Sequence, residues 1–439
     1  MSVTNQQSSP SRALVGGRLA TTGEETTLVI REGRIVAVEA PHSRQTVDQT
    51  IDVSGCLISP GFVDLNCNLR EPGNGQKGSI ASESRAAAHG GFTTLCASPE
   101  TSPVNDSGAV TNLILDVAAN RSSVRILPVG AITRGLEGEL LSDMAGLSAA
   151  GCVAMGNGSR TVSNARVLRR CMAYAQTFGL TVMFSPENRA LAADGYASDG
   201  LVASRLGLIG IPEVAETTAV MEMLLLAEET GVRLHLSQLS CGRSVAMLED
   251  ARRRGIKVTA DVAMHQLLFT EDALAGFDSR FHVRPPLRGE NDRQALLAGV
   301  RVGVIDAITS QHQPHDSAAK QAPLAATEPG LSTIETTLSM GLLLAERGEL
   351  SHQQLLKALT EGPASVIGRR AAIEPGEPAD LCVFDPDAAW TPSASNICSF
   401  GLHHPFPSRT LPGVVRLTLC DGVDAWTDKP VSNPQRRQK

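Results

Sequence analysis

The alternation of hydrophobic and polar positions changes twice along the chain. Between residues 13 and 59, β-branched and polar residues alternate around glycine and aspartate turns, as in TTLVIREGRIVAVEA, which predicts short antiparallel strands. From residue 60 onward, short apolar runs are separated by longer segments of helical period. Strand-like alternation returns in GEPADLCVFD and VVRLTLCDGV near the end. The pattern therefore predicts a central domain flanked by two blocks of β-structure.

The central domain contains eight apolar runs, which are FVDL, FTTLCA, VRILPVGAIT, CVAM, LTVMF, VRLHLS, KVTADV and VIDAIT. A helical or loop segment follows each run, as in VAETTAVMEMLLLAEETG. This alternation predicts an α/β fold, a (β/α)8 barrel over residues 60–372, with functional groups at the carboxyl ends of the strands. Residues 13–59 and 373–430 are predicted to form one small β-domain built from both termini. Residues 1–12 and 431–439 are predicted to be disordered tails.

Composition narrows the classes of function. The chain has 439 residues, of which 42% are hydrophobic and 19% are charged, enough to bury a large core. The net charge of -7 argues against a partner rich in phosphate, whether nucleic acid or anionic lipid. The first residues lack a secretory signal, and no apolar stretch approaches the ~18 residues of a membrane span. The nine cysteines include no CxxC pair. We therefore expect a cytoplasmic protein that binds neither nucleic acid nor membrane.

Several strings occur in the order and spacing of a known family. They include SPGFVDLNCNLREPG, GGFTTLCASPETSP, AGCVAMGNGSR, GLIGIPEVAE and IDAITSQHQPH. Together they resemble the dihydroorotases and allantoinases, which are cyclic-amide hydrolases of the amidohydrolase superfamily. The resemblance implies a barrel of the amidohydrolase kind. In an active member it would also imply zinc, held by imidazoles and carboxylates, that converts water to hydroxide near neutral pH.

The positions that match the family's metal ligands hold other residues here. In chain order they are Asn66, Asn68, Asn157, Ser185, Gln238 and Gln311. Asn66 and Asn68 stand two apart on the first barrel strand, so both should point to its inner face. Carboxamides and hydroxyls are weak, neutral ligands that do not replace imidazole on zinc. The zinc site is therefore predicted to be lost, leaving no metal cofactor and no catalytic residue.

Of the positions that the resemblance assigns to substrate recognition, some match the family and others do not. Arg70 and His315 match residues that grip a substrate carboxylate in the family. Glu100 stands where the family has asparagine and would repel such a carboxylate. Arg284 could pair with Glu100 or fill the pocket. A salt bridge between Arg70 and Glu100 that closes an empty mouth is at least as well supported as ligand binding.

The resemblance extends to family members without the histidine pair that associate with bacterial aspartate carbamoyltransferase. It implies a non-catalytic structural subunit, bound to the transferase's catalytic chains and self-associating through the barrel, in pyrimidine biosynthesis. Two alternatives remain open. One is a cyclic-amide hydrolase with an altered or displaced metal site. The other is a small-molecule sensor whose pocket, built from Arg70, Arg284 and His315, binds a carboxylated pyrimidine.

Overall fold

The computed structural model describes residues 10–41, 43 and 46–428. Most of the predicted amino-terminal tail and the whole of the predicted tail at 431–439 therefore lie outside the described residues. The chain begins with five strands: β1 (Arg12–Leu19), β2 (Glu25–Arg31), β3 (Arg34–Glu39), β4 (Gln49–Asp52) and β5 (Leu57–Pro60). The first strand thus starts at the last residue of the predicted tail.

All eight predicted apolar runs contain strands of one parallel sheet. Ten strands follow in the chain: β6 (Phe62–Cys67), β7 (Phe92–Ala97), β8 (Arg125–Ala131), β9 (Ala154–Gly156), β10 (Thr181–Phe184), β11 (Ala197–Ser198), β12 (Gly210–Ile211), β13 (Arg233–Leu236), β14 (Val258–Ala263) and β15 (Ala307–Thr309). β11 and β12 form a separate ribbon, and the other eight are neighbours in chain order. The predicted (β/α)8 barrel is confirmed.

The barrel closes where the last strand meets the first. Cys67 and His312 form a parallel bridge, and the Asn68 amide donates to the His312 carbonyl over 2.9 Å. The Ser310 amide donates to a carboxylate oxygen of Asp64 on the first barrel strand. These contacts bring the carboxyl ends of the first and last strands together, which is where the family resemblance places the site.

Thirteen α-helices surround and connect these strands. They are α1 (Ile80–His89), α2 (Gly108–Arg121), α3 (Met144–Ala149), α4 (Ala165–Thr177), α5 (Arg189–Ala192), α6 (Leu201–Leu206), α7 (Glu213–Thr230), α8 (Gly242–Arg253), α9 (Met264–Leu268), α10 (Glu290–Val302), α11 (Thr337–Glu346), α12 (His352–Leu359) and α13 (Glu361–Val366) in the described part of the chain. α4 illustrates the packing, because Leu168, Cys171, Met172 and Ala175 form one buried stripe. No helix in the described residues is long and apolar enough to span a membrane.

The small β-domain draws on both ends of the chain, as predicted. Its carboxyl-terminal strands are β16 (Leu381–Trp390), β17 (Leu411–Cys420) and β18 (Val423–Thr427). β16 pairs antiparallel with β5, which joins the two halves into one sheet. The amino-terminal half is not wholly antiparallel, as the alternation had suggested. β4 and β5 both run parallel to β1.

Candidate functional site

The carboxyl ends of the barrel strands surround an open cavity of about 740 Å³. All four residues that the sequence assigned to substrate recognition line it. They are Arg70, Glu100, Arg284 and His315. The volume lies within the usual range for a small-molecule pocket. The mouth is therefore open, and residues distant in sequence meet there because each follows a different strand or loop of the barrel.

A smaller cleft of about 50 Å³ lies deeper in the mouth. Asn66, Asn68, Ser185 and Gln238, four of the six positions that match metal ligands, line it. Asn68 also lines the larger cavity, so the two spaces adjoin at its side chain. The structure thus brings most of the replaced ligand positions to one place, as the resemblance implied.

The side-chain amides at the base of the mouth bind one another. Gln311 donates from Nε2 to Oε1 of Gln238 over 3.1 Å and to the Arg284 carbonyl over 2.9 Å. Ser185 donates to the same Gln238 oxygen over 3.5 Å. Both glutamines adopt left-handed backbone conformations, with φ of 58° and 50°. Nε2 of Gln238 is buried and has no partner among the described residues. Neutral hydrogen bonds therefore hold these side chains in place.

The residues present at the mouth do not fit zinc. A catalytic zinc needs three strong nitrogen, sulfur or carboxylate ligands and one open position. Within the described residues, two groups of histidine, cysteine and acidic side chains are compact enough to hold a metal. One is His89, Glu335 and Cys398, and the other is Asp380, Cys420 and Asp421. None of these six residues lines either cavity of the mouth.

Asn157 does not face either cavity. Its Oδ1 accepts a hydrogen bond of 2.7 Å from the Thr133 hydroxyl, and its Nδ2 donates to the carbonyls of Leu136 and Arg160. The residue is fully buried. Its side chain therefore ties the loop after β8 to the loop after β9, a structural function that its match to a ligand position did not reveal.

Arg284 pairs with Glu187 rather than with Glu100, and it lines the pocket, which is the second possibility that the sequence left open. Nε and Nη2 of Arg284 donate to the two carboxylate oxygens of Glu187, each over 2.7 Å. Glu100 instead accepts hydrogen bonds from the hydroxyls of Ser98 and Ser159. The loop after β10 presents Glu187 directly to the arginine. This partner was missed because the two residues lie 97 positions apart.

Arg70 contacts His315 rather than closing the mouth through Glu100. Its Nε donates to the Pro314 carbonyl over 2.9 Å, and its Nη2 lies 3.4 Å from Nε2 of His315. Burial and the neighbouring guanidinium lower the pKa of His315 to about 4, so the imidazole is neutral at physiological pH. The predicted salt bridge between Arg70 and Glu100 is thus replaced by contacts with the loop after β15.

Two histidines near the mouth are held by buried carboxylates. Nε2 of His235 donates to Asp261 over 2.9 Å, and the same carboxylate accepts the Gln238 amide. Nδ1 of His312 accepts the Thr333 amide, so its Nε2 carries the proton donated to Glu83. His235 and His312 are fully buried. Both imidazoles are therefore used as internal links and neither is available to a metal or substrate at the mouth.

Comparison with known proteins gives the family. The family description "Dihydro-orotase-like" matches residues 55–244. A dihydroorotase-like protein of Pseudomonas aeruginosa is 47% identical over 90% of this chain and 93% of that protein. This chain belongs to the dihydroorotase-like family. A dihydroorotase of Desulforapulum autotrophicum is 38% identical to this dihydroorotase-like chain, over 91% of the chain and 94% of the relative.

Solved structures agree on the fold of this dihydroorotase-like chain. The L-hydantoinase (dihydropyrimidinase) of Arthrobacter aurescens superposes with a TM-score of 0.86. The alignment covers 96% of this chain and 97% of that one, at 23% identity. A D-hydantoinase superposes with a TM-score of 0.81 at 20% identity. At these identities the likeness shows a shared barrel with its small β-domain, and the chemistry of the mouth has to be argued from the residues present.

Proposed function

We propose that this dihydroorotase-like chain is a non-catalytic subunit that assembles with aspartate carbamoyltransferase in the cytoplasm. The observation that carries the proposal is the network of Ser185, Gln238 and Gln311 at the base of the mouth. Neutral carboxamides and a hydroxyl there cannot lower the pKa of a bound water as a metal does. The transferase as partner comes from the sequence resemblance to non-catalytic family members.

The carboxylates that line the small cleft are both engaged in hydrogen bonds, which argues against a metal-free hydrolytic mechanism. They belong to Glu100 and Glu187, and both oxygens of Glu187 accept hydrogen bonds from Arg284. Such a bidentate pair occupies the carboxylate with charge-assisted hydrogen bonds. The oxygens of Glu100 accept hydrogen bonds from the hydroxyls of Ser98 and Ser159. Apart from Arg284, the other polar side chains of the cleft are amides and hydroxyls, which do not accept a proton near neutral pH.

A role in assembly is supported by an unusual stripe on α7. Val214, Met221 and Leu225 are 41%, 41% and 50% exposed, and Thr218 lies between them on the same helical face. An exposed apolar stripe of this kind is typical of a protein contact surface. We propose that it contributes to self-association of the barrel.

A small-molecule sensor is the second candidate, favoured by the open cavity. Arg70 and His315 line about 740 Å³ of space that a carboxylated heterocycle would fit. Glu100 lines the same space and opposes an anion there. A sensor would therefore bind its ligand weakly, and it would report occupancy to the partner rather than transform the ligand.

Co-expression with the aspartate carbamoyltransferase of the same cell tests these candidates. The purified material is analysed for mass, for bound metal, and for both enzyme activities. We expect a hetero-oligomer that supports transferase activity and leaves dihydroorotate unchanged, with or without added zinc. An active dihydroorotase of the same family serves as the positive control for hydrolysis. Turnover of dihydroorotate, or failure to bind the transferase, would overturn the proposal.

A further inference from the structure

A cluster of metal-binding side chains lies where the barrel meets the small β-domain. His89 ends α1, Glu335 lies in the segment that leads from β15 to α11, and Cys398 lies in the loop between β16 and β17. One nitrogen, one carboxylate oxygen and one sulfur from these residues lie within 4.8 Å of one another. Three segments distant in sequence thus converge on one point.

Hydrogen bonds already fix the geometry of this cluster. Nδ1 of His89 lies 2.6 Å from Oε1 of Glu335, and the Cys398 amide donates to that oxygen over 2.8 Å. The Ser399 amide donates to the second oxygen, Oε2. Backbone donors therefore position both carboxylate oxygens, and the imidazole nitrogen lies beside one of them. A cation bound here would find an oxygen and a nitrogen in position.

An aromatic cavity of about 360 Å³ adjoins the cluster. Trp390 and Trp426, the only tryptophans in the sequence, line it together with His89. Nε1 of Trp390 donates to the Ser339 hydroxyl, whereas Nε1 of Trp426 is buried without a partner among the described residues. The cavity leaves room for a fourth ligand such as water, and the free indole donor could bind it. It shares no lining residue with the two cavities of the mouth.

The second compact group of potential ligands differs in one decisive respect. In the group of Asp380, Cys420 and Asp421, both carboxylates accept hydrogen bonds of 2.6 Å from Arg125. The guanidinium already supplies the positive charge that a metal would bring. In the group that contains Cys398, the carboxylate of Glu335 is instead held by an imidazole and two backbone amides.

We infer that His89, Glu335 and Cys398 form a binding site for a thiophilic divalent cation of the zinc class. One imidazole, one carboxylate and one thiolate with an open fourth position suit zinc. Binding of the cation to the thiolate releases the thiol proton to solvent. The cation would clamp the loop between β16 and β17 to the barrel. Zinc found in the purified protein would then not indicate a hydrolytic centre.

Cobalt titration of the full-length, chelator-treated chain tests this site. Co²⁺ bound to a thiolate gives a charge-transfer band, and it quenches nearby tryptophan fluorescence. Because both tryptophans line the cavity, cobalt bound at this site should quench their fluorescence. We expect about one equivalent to produce both signals and Zn²⁺ to reverse them. Zn²⁺ should also raise the melting temperature, since it binds only the folded chain.

Three variants test whether the cobalt signals come from this site. Cys398→Ser should abolish the charge-transfer band and weaken binding at least about tenfold. His89→Gln should weaken binding similarly, and it decides the question if the serine variant does not fold. Cys420→Ser, in the group neutralised by Arg125, is the matched control and should behave like the unmodified chain. Absence of the band at saturating Co²⁺, or a band that survives Cys398→Ser, would overturn the inference and leave the proposed assembly role untouched.

Discussion

Arg284 and Glu187 form a two-pronged ion pair at the mouth of the barrel, with both hydrogen bonds 2.7 Å long. Both residues line the small cleft that holds four of the replaced ligand positions. The pair therefore places two opposite charges beside the amide network. Its side chains are only 26% and 17% exposed, so the two charges compensate each other, and the more exposed Arg189 lies 3.9 Å from the same carboxylate.

Breaking this pair should destabilise the fold measurably. Glu187→Gln leaves the partly buried Arg284 without its carboxylate, and Arg284→Gln leaves Glu187 with only Arg189, 3.9 Å away, as its cation. We expect a loss of about 1–2 kcal/mol in the free energy of unfolding. Urea denaturation of the single and double variants gives the coupling energy. The exposed pair Arg169 and Glu229, with side chains 53% and 50% exposed, is the matched control and should contribute less than about 0.5 kcal/mol. Equal coupling in both pairs would contradict the expectation.

Two positions that match metal ligands should respond differently to truncation. Asn157→Ala removes three hydrogen bonds in a fully buried site, so we expect a loss of about 2–3 kcal/mol. Asn66 lies only partly buried beside the cleft, where water can replace its contacts. Asn66→Ala should therefore cost less than about 1 kcal/mol. Thermal and urea unfolding of both variants test the difference, and equal losses would argue against the anchoring role of Asn157.

Glu100 should weaken the binding of an anionic ligand at the mouth. It lines the same cavity as Arg70, and its charge opposes a bound carboxylate by about 1 kcal/mol. Glu100→Gln keeps the shape and one of the two acceptor oxygens that Ser98 and Ser159 use, so we expect about fivefold tighter binding of orotate or dihydroorotate by calorimetry. Glu137→Gln, an exposed carboxylate on the rim of the same cavity, is the control and should have a smaller effect. Unchanged affinity in Glu100→Gln would mean that no carboxylate binds near it.

The stability of the fold should fall in mild acid because of His265. Both ring nitrogens of this buried residue lack partners among the described residues, and burial lowers its pKa from 6.5 to about 4. Between these values the unfolded chain binds the proton and the folded chain does not, so stability decreases as pH falls from about 6.5 to 4. The contribution is about 3 kcal/mol in order of magnitude.

His265→Leu should remove that part of the pH dependence. An apolar side chain of similar size fills the site without the unpaired nitrogens. Urea unfolding at a series of pH values should show a shallower loss of stability in the variant. The slope is expected to decrease rather than vanish, because burial also lowers the pKa of His282 and His315 to about 4. A slope identical to that of the unmodified chain would exclude His265 as its source.

The local sequence pattern was sufficient to predict the barrel but not the contacts at its mouth. Each barrel strand is an apolar run bounded by turn residues, so its position depends on neighbours in the chain. The ribbon of β11 and β12 was missed because two-residue strands carry no periodicity. The pairing of Arg284 with Glu187 depends on two loops that only the closed barrel brings together. The positive φ angles of Gln238 and Gln311 likewise follow from tertiary structure, since glutamine does not favour a positive φ.

The resemblance to the family located the matching positions correctly, but it did not give the direction of every side chain. Asn66 and Asn68 line the mouth as strand alternation predicted. Asn157 stands at a matching position and yet turns into the protein, where Thr133 and two carbonyls satisfy it. The direction of a buried carboxamide depends on the hydrogen-bond partners around it. Sequence alone does not show which partners these are.

The apolar stripe on α7 should be needed for self-association of the chain. Met221→Lys combined with Leu225→Lys places two charges on exposed positions, so the fold should lose less than about 0.5 kcal/mol per site. Burying those charges in an interface is costly, and we expect dissociation at concentrations at least about tenfold higher than for the unmodified chain. Sedimentation velocity over a range of concentrations measures this change.

Leu113→Lys is the matched control for the stripe. Leu113 on α2 is 45% exposed, close to the exposure of the stripe residues, but lies on a different helix. If α7 forms the contact, the control should sediment like the unmodified chain while the double variant shifts to smaller species. A chain that is monomeric at every concentration, or equal disruption by Leu113→Lys, would show that α7 is not the contact surface. Assembly would then have to use another face of the barrel.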